Sequence, residues 1–214
     1  MTRNVLLFGG SFDPVHVGHE ITATYCLDTL MGEDGEEHEL WFMPSCSDAF
    51  DYREYASFEH RLNMLHLVND TYIRRKDVKV SDFEARLGNG AGVFAVVKAL
   101  MNTFPTLNFK YLMGSDQAAA IRNWRKSRDL TKLIPFIVIS RRGSLFTSSY
   151  WYRNKPHRYI QTHALDKRNL TSSNVRSLLE NESKRKIYQT RDRSDIRDSV
   201  KEYIYNNDLY RGGA

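Results

Sequence analysis

The sequence predicts an α/β fold, a doubly wound parallel sheet with a small C-terminal helical part. Three observations lead there. Short apolar runs alternate with segments of helical period, the connections are brief, and the first run is wholly apolar, as a strand buried on both faces requires. Residues 4–8 are that first strand, closed by Gly9 and Gly10. A helix over 17–30 follows, with Ile21, Tyr25 and Leu30 expected near its inner face, and an acidic turn over 31–38 ends it. Residues 39–43 read as the second strand and 58–69 as the second helix, with Leu62, Leu65 and Val68 inward. A third strand over 78–80, a third helix over 93–103 and a fourth strand over 109–113 continue the alternation. One helical stretch from 116 to about 133 then leads to the apolar strand 136–139. Right-handed crossovers place such helices on both faces of the sheet.

Residues 143–157 have no clear period and read as a long loop, which is a functional or a mobile feature in a compact domain. One more strand is expected at 159–162. The chain turns helical again from Ser172, and its last helix carries Ile196, Val200, Tyr203 and Ile204 at helical spacing. Residues 1–214 are expected to form one domain, with 171–214 as its C-terminal helical part.

Composition narrows the class. A chain of 214 residues that is 41% apolar and 12% aromatic can bury a core, which argues against disorder. No run of eighteen apolar residues occurs, so no membrane span is expected. The start lacks the apolar length and small-residue cleavage site of a signal peptide. Two cysteines, Cys26 and Cys46, make no disulfide framework, so a cytoplasmic, reducing compartment is expected. A formal charge of +5 suits an anionic partner, with a polyphosphate and a nucleic acid both open on charge alone.

The chemistry concentrates in Gly9-Gly10-Ser11-Phe12-Asp13-Pro14-Val15-His16-Val17-Gly18-His19, directly after the first strand and opening the first helix. Ligands of open parallel sheets bind at the carboxyl ends of strands, beside helix N-termini. Glycine lets backbone amides approach a phosphate, and the helix start adds partial positive charge. His16 and His19 stand one turn apart, so both can face one anion, with Gly18 leaving room between them. The segment is neither a Walker loop nor a dinucleotide fingerprint. A bare glycine turn with two surface histidines needs none of the Phe-Asp-Pro company seen here. Ser172, Ser173 and Arg176 are a candidate second anion site, with a plain helix cap as the reading of the hydroxyls alone. Thr171-Ser172-Ser173 ahead of Val175 is a sufficient helix cap by itself, and Arg176 in the first turn adds a guanidinium.

Gly-Gly-Ser-Phe-Asp-Pro-x-His-x-Gly-His resembles the N-terminal signature of the nicotinate/nicotinamide mononucleotide adenylyltransferases, within the wider His-x-Gly-His nucleotidyltransferases. The likeness extends to Ser57-Phe-Glu-His60-Arg61 with Met64-Leu65, to Gly114-Ser115-Asp116 with Trp124, to the strand ending in Arg141-Arg142-Gly143, to Thr171-Ser172-Ser173-Asn174-Val175-Arg176, and to Val200 through Tyr210. It therefore spans nearly the whole chain, in order, and implies the Rossmann-like nucleotidyltransferase fold. It implies that His16 and His19 are catalytic, and that Gly9, Gly10, Ser11, Phe12, Gly18, Ser172, Ser173 and Arg176 hold ATP and its phosphates. Gly114 and Asp116 would take the adenosine ribose, although Asp116 as a plain helix cap is an equal reading of the residues. Trp124 would stack on the pyridine ring, a contact worth roughly 1–3 kcal/mol. Arg53 and Arg142 are the remaining mononucleotide candidates, Arg142 standing equally well as a surface charge. His60 and Arg61 read as packing and loop-anchoring residues.

Two departures bear on the acceptor. The loop after the second strand lacks the lysine common in bacterial nicotinate enzymes, with Arg53 the nearest cation, and Ala91-Gly92-Val93 replaces a Ser-Tyr-Thr segment. These leave the acceptor open, but Asp48-Ala-Phe50 and Trp124-Arg-Lys-Ser-Arg-Asp-Leu130 resemble nicotinamide-accepting relatives, so the expectation leans slightly to nicotinamide mononucleotide, with nicotinate mononucleotide or both as alternatives. The implied partners are ATP and a pyridine mononucleotide, with no nucleic acid and no membrane, and homo-oligomerisation left open. Mg²⁺ would arrive with ATP, held by water and substrate oxygens, and no protein metal site is expected. The rival readings are the same chemistry on another phosphate acceptor such as phosphopantetheine, and a non-catalytic nucleotide- or nucleic-acid-binding protein.

Overall fold

The computed structural model describes residues 3–46, 56–88, 90–140, 150–162, 170–185 and 195–211. The strands are β1 (Arg3–Gly10), β2 (His38–Pro44), β3 (Val78–Val80), β4 (Leu107–Gly114), β5 (Phe136–Ile139) and β6 (Arg158–Ile160). The helices are α1 (Val17–Asp34), α2 (Phe58–Val68), α3 (Phe83–Leu87), α4 (Gly92–Thr103), α5 (Ser115–Ala119), α6 (Ser127–Leu133), α7 (Ser172–Arg185) and α8 (Asp198–Asn206). A single π-helical turn, Asn69–Ile73, extends α2.

The strands form one six-stranded sheet in the order β3-β2-β1-β4-β5-β6, every pair parallel. The chain therefore builds outward from β1 in one direction and then restarts with β4 on its other side. That reversal opens a crevice at the carboxyl ends of β1 and β4, where Gly9-Gly10 and Gly114 lie. Side chains of β1 alternate between two cores, as period-two geometry demands. Leu6 and Phe8 face a layer with Ala23, Cys26, Leu27 and Leu30 of α1 and Met64 and Leu65 of α2. Val5 and Leu7 face the opposite layer with Val96, Val97 and Leu100 of α4 and Leu130 of α6. Val175, Leu179, Val200 and Ile204 of α7 and α8 join the first layer, so the C-terminal helices are continuous with the core that supports the loop after β1.

The structure departs from the sequence reading in four places. The inner face of α1 is Ala23, Cys26, Leu27 and Leu30, whereas Tyr25 is 36% exposed and Ile21 half-buried. The helix expected over 116–133 is broken into α5, a 3-10 turn at Ile121–Asn123 and α6. Trp124 adopts an extended backbone there and Lys126 a left-handed one (φ 57°), which lets the indole turn in against Tyr111. Short α3 is additional, its five residues too few for a period to show. The sixth strand begins at Arg158 and ends at Ile160, after which Thr162 exchanges two hydrogen bonds with the Ser140 hydroxyl. Of the expected loop 143–157, residues 150–157 are described. They include a 3-10 turn at Trp151–Arg153, and the Trp151 indole donates to the Ala118 carbonyl at 3.2 Å. Among the described residues no helix is long and apolar enough to cross a membrane.

Leu112 lies in β4 beside Phe8, fully buried between the sheet and its helices. Leu112→Ala is expected to cost about 2–5 kcal/mol of stability, read as a lowered urea midpoint, because a central strand cannot collapse into the void.

Candidate active site

The loop after β1 is shaped by missing side chains and one buried ring. A Cβ at Gly9 would lie 1.7 Å from the Tyr111 hydroxyl, so glycine is what allows β4 to bring that phenol against the loop. At Gly10 a Cβ would meet the Phe12 ring at 3.2 Å. Phe12 has a positive φ of 51° and hooks its ring into the core, edge-on to Phe8 at 5.4 Å, Phe42 at 5.5 Å and His19 at 4.9 Å. Its side chain is thus structural, and any role at the crevice falls to its backbone. Ser11 is exposed, and its carbonyl accepts from Arg61 Nη1 at 2.8 Å while Arg61 Nε donates to the Ala56 carbonyl at 3.0 Å. Arg61 is buried and anchors the loop, as the sequence suggests.

His16 is the N-cap of α1 and His19 sits in its first turn. The His16 amide donates to His19 Nδ1 at 3.2 Å, which assigns the proton of a neutral His19 ring to Nε2. The rings stack with centroids 3.7 Å apart and planes 23° from parallel, both buried. Gly18 permits this, since a Cβ there would come within 3.0 Å of the His16 ring and 3.4 Å of Leu170 Cβ.

Leu170 belongs to the approach to α7, and here the two expected anion sites meet. The Ser172 hydroxyl donates to the Pro14 carbonyl at 3.1 Å. Arg176 Nη1 donates to the Asp13 carbonyl at 2.5 Å and lies 3.3 Å from Asp13 Oδ2, while Nη2 donates to Ser173 Oγ at 3.4 Å. Thr171 Oγ1 caps the helix by accepting from the Asn174 amide at 3.1 Å. Two helix beginnings, with their amides, hydroxyls, guanidinium and imidazoles, therefore border one crevice.

Three charged or phenolic groups carry weight, with no role assigned to them from the sequence. Asp13 is fully buried, and Oδ1 accepts from the Ala56 amide at 3.1 Å and the Tyr210 hydroxyl at 2.6 Å. Burial pushes its carboxyl up, against the pull of Tyr210, Arg176, the Ala56 amide and Arg61. Glu84 is also buried and accepts from the Cys46 amide at 3.0 Å; burial raises its carboxyl too, opposed by that amide and by Arg61. Tyr111, raised by burial and by nearby Glu84, packs edge-on to Trp124 at 5.9 Å. It thereby links Gly9 to the half-buried indole expected to meet a pyridine ring. For Asp13 the motif itself was the signal, and for Tyr111 the odd-numbered face of β4; Tyr210 had none beyond its place in the closing segment.

Gly114 ends β4 as the N-cap of α5, and Asp116 is exposed in the first turn at the same strand end. Gly114, not Asp116, therefore occupies the cap position. Arg53 and Arg142 lie outside the described residues. Among the described residues no three His, Cys, Asp or Glu side chains gather to hold a metal ion.

The sequence model of the cytidylyltransferase-like family matches residues 7–178. A probable nicotinate-nucleotide adenylyltransferase of Agrobacterium fabrum is 38% identical over 148 residues, 67% of this chain and 71% of that protein. One of Oceanobacillus iheyensis is 25% identical over 211 residues, covering 99% of this chain and 98% of its own. In three dimensions the chain is similar to the Plasmodium falciparum nicotinic acid mononucleotide adenylyltransferase solved in complex with NaAD. The TM-score is 0.78, the identity 23%, and 97% of each chain is covered.

Two substitutions probe this construction. Gly9→Ala is expected to destabilise by about 1–3 kcal/mol through overpacking, and to cost less in a Tyr111→Ala background, a coupling read from a double-mutant cycle in urea. For Glu84 the folded carboxyl sits above its unfolded value, so the folded state holds the proton more tightly and stability falls as pH rises through and above the ordinary glutamate range. Glu84→Gln, which keeps an acceptor for Cys46, is expected to raise the thermal midpoint at about pH 8, with the gain shrinking toward about pH 4.

Proposed function

We infer the reaction from the chain's family: it belongs to the cytidylyltransferase-like family and, within it, to the nicotinate-nucleotide adenylyltransferases. It is an adenylyltransferase that moves AMP from ATP to a pyridine mononucleotide, with nicotinate mononucleotide as the acceptor its relatives are named for, and releases pyrophosphate. One observation carries the assignment to this crevice. Ser172 and Arg176 reach the Pro14 and Asp13 carbonyls, which brings the start of α7 against the loop that opens α1.

The chemistry suits such a crevice. A 5′-phosphate oxygen of the mononucleotide attacks the α-phosphorus of ATP in line, a new P–O bond forms, and the bond to the β-phosphate bridging oxygen breaks. The nucleophile is already ionised near neutral pH, so no general base is needed. Catalysis then consists of positioning and charge neutralisation. In this reading the Gly9 and Gly10 backbone and the His16 and His19 rings meet the transferring phosphate, His19 through Nε2. Ser172, Ser173 and Arg176 take the departing pyrophosphate oxygens. Asp116, at the end of β4, accepts the adenosine ribose hydroxyls, and Trp124 stacks on the pyridine ring. ATP enters as its Mg²⁺ complex, the ion held by phosphate oxygens and water as part of the substrate.

Nicotinamide mononucleotide, toward which the sequence leans, remains the second reading. It rests on the likeness of Trp124-Arg-Lys-Ser-Arg-Asp-Leu130, and of Asp48-Ala-Phe50 outside the described residues, to nicotinamide-accepting relatives. Pyrophosphate release with ATP and each mononucleotide in turn separates the two, and release with nicotinate mononucleotide is expected to be faster. His19→Ala is expected to lower kcat by about 10²–10³ with far-UV circular dichroism unchanged. Wild-type turnover in that variant would remove His19 from the reaction.

A further inference from the structure

We propose that Tyr210 and Asp13 are positioning residues for Arg176, a three-member chain from the C-terminal segment through the loop after β1 to the phosphate-binding face of α7. The proposal rests on the reading that Arg176 meets the triphosphate of ATP. Its basis is geometry. The Tyr210 hydroxyl donates to Asp13 Oδ1 at 2.6 Å across 197 residues of sequence. Asp13 Oδ2 stands 3.3 Å from Arg176 Nη1, which also donates to the Asp13 carbonyl. Arg176 is thus held at one nitrogen by both the backbone and the side chain of one residue. A guanidinium is planar, so fixing Nη1 fixes the direction in which the whole fork points.

The Asp13 carboxylate is fully buried, and Ala56 and Tyr210 supply the donors at the oxygen that Arg176 does not approach. An isolated buried carboxylate is costly and tends to take up a proton. Once protonated, Asp13 loses its attraction for Arg176. Tyr210 therefore acts on Arg176 indirectly, by keeping Asp13 ionised and by orienting it. The phenol suits that task, because burial and the adjacent Asp13 push it well above the usual tyrosine range and it stays a donor. Its placement comes from the turn after α8, where Asp208 (φ 54°) and Tyr210 (φ 58°) are left-handed and the Leu209 amide donates to the Ile204 carbonyl at 3.1 Å. Among the described residues, the charged and titratable groups that act on Asp13 are Tyr210 from the C-terminal segment, Arg176 from α7 and Arg61 from α2.

The test is Tyr210→Phe, which keeps the ring and removes the hydroxyl, with Asp13→Asn as the second variant. For Tyr210→Phe the KM for MgATP is expected to rise about tenfold, the loss of one charge-assisted hydrogen bond, with the KM for the mononucleotide within twofold of wild type. Removing a donor that lowers the Asp13 carboxyl must raise it further. The acid limb of kcat/KM for MgATP is therefore expected to move to higher pH in Tyr210→Phe and to flatten in Asp13→Asn. A loss of general stability would move neither the substrate split nor the limb. Unchanged MgATP KM and unchanged acid limb in both variants, with wild type turning over, overturn the proposal and leave the functional reading intact. Failure of wild type to bind MgATP in titration calorimetry overturns both.

Discussion

The crevice depends on how closely residues 13–18 approach the first turn of α7. That approach is a packing constraint before it is a chemical one. Gly18 has to lack a side chain, because the His16 ring and Leu170 occupy the space on either side of it. Ser172 and Arg176 then bind the carbonyls of Pro14 and Asp13, so two helix starts separated by more than 150 residues of chain share one opening. Each start alone is an ordinary helix N-terminus. Together they can surround a polyphosphate from two sides, as neutralising several phosphate charges requires.

Holding that arrangement takes buried charge, which a protein of this size does not bury without a partner. Asp13 and Arg61 sit under the loop with their polar atoms directed at backbone groups of residues 11 and 56 and at Tyr210. Arg197 pairs with buried Glu20 at 2.8 Å while its guanidinium covers the Tyr72 ring, and the Val17 amide donates to the Asp195 carbonyl at 2.9 Å. His60 Nδ1 and Asn63 both meet the Tyr203 hydroxyl at 3.0 Å. The bonds made by Asp195, Arg197 and Tyr203 join the C-terminal part to the head of α1 or to α2. The C-terminal helices therefore brace the same loop that they face, and their packing and their functional placement have one cause.

On the opposite side of the sheet the organising element is aromatic. Tyr111 fills the hollow left by Gly9 and presents its ring edge-on to Trp124, while Phe136 and Trp151 continue the stack outward. The loop after β1 and the Trp124 indole are thereby set at a fixed separation by one intervening side chain. Such spacing is what an acceptor with a phosphate at one end and an aromatic ring at the other needs, because both ends must be seated before the reacting oxygen is in line.

The sequence by itself determined the parallel α/β architecture, the places of the first five strands, and the identity of the loop from Gly9 to His19, since these rest on local period, glycine placement and a contiguous motif. It also marked Arg61 as an anchor and Ser172, Ser173 and Arg176 as candidates for an anion site. Tertiary packing decided the rest. The inner face of α1 shifted away from Tyr25, and the stretch after Gly114 broke at Trp124, because an indole gains more against Tyr111 than a continuous helix gains from one more turn. The pairing of Tyr210 with Asp13, and the meeting of the two anion sites, belong to contacts between residues distant in sequence. No local pattern encodes which distant donor a buried carboxylate will find; that is settled only when the sheet and both helical layers close around it.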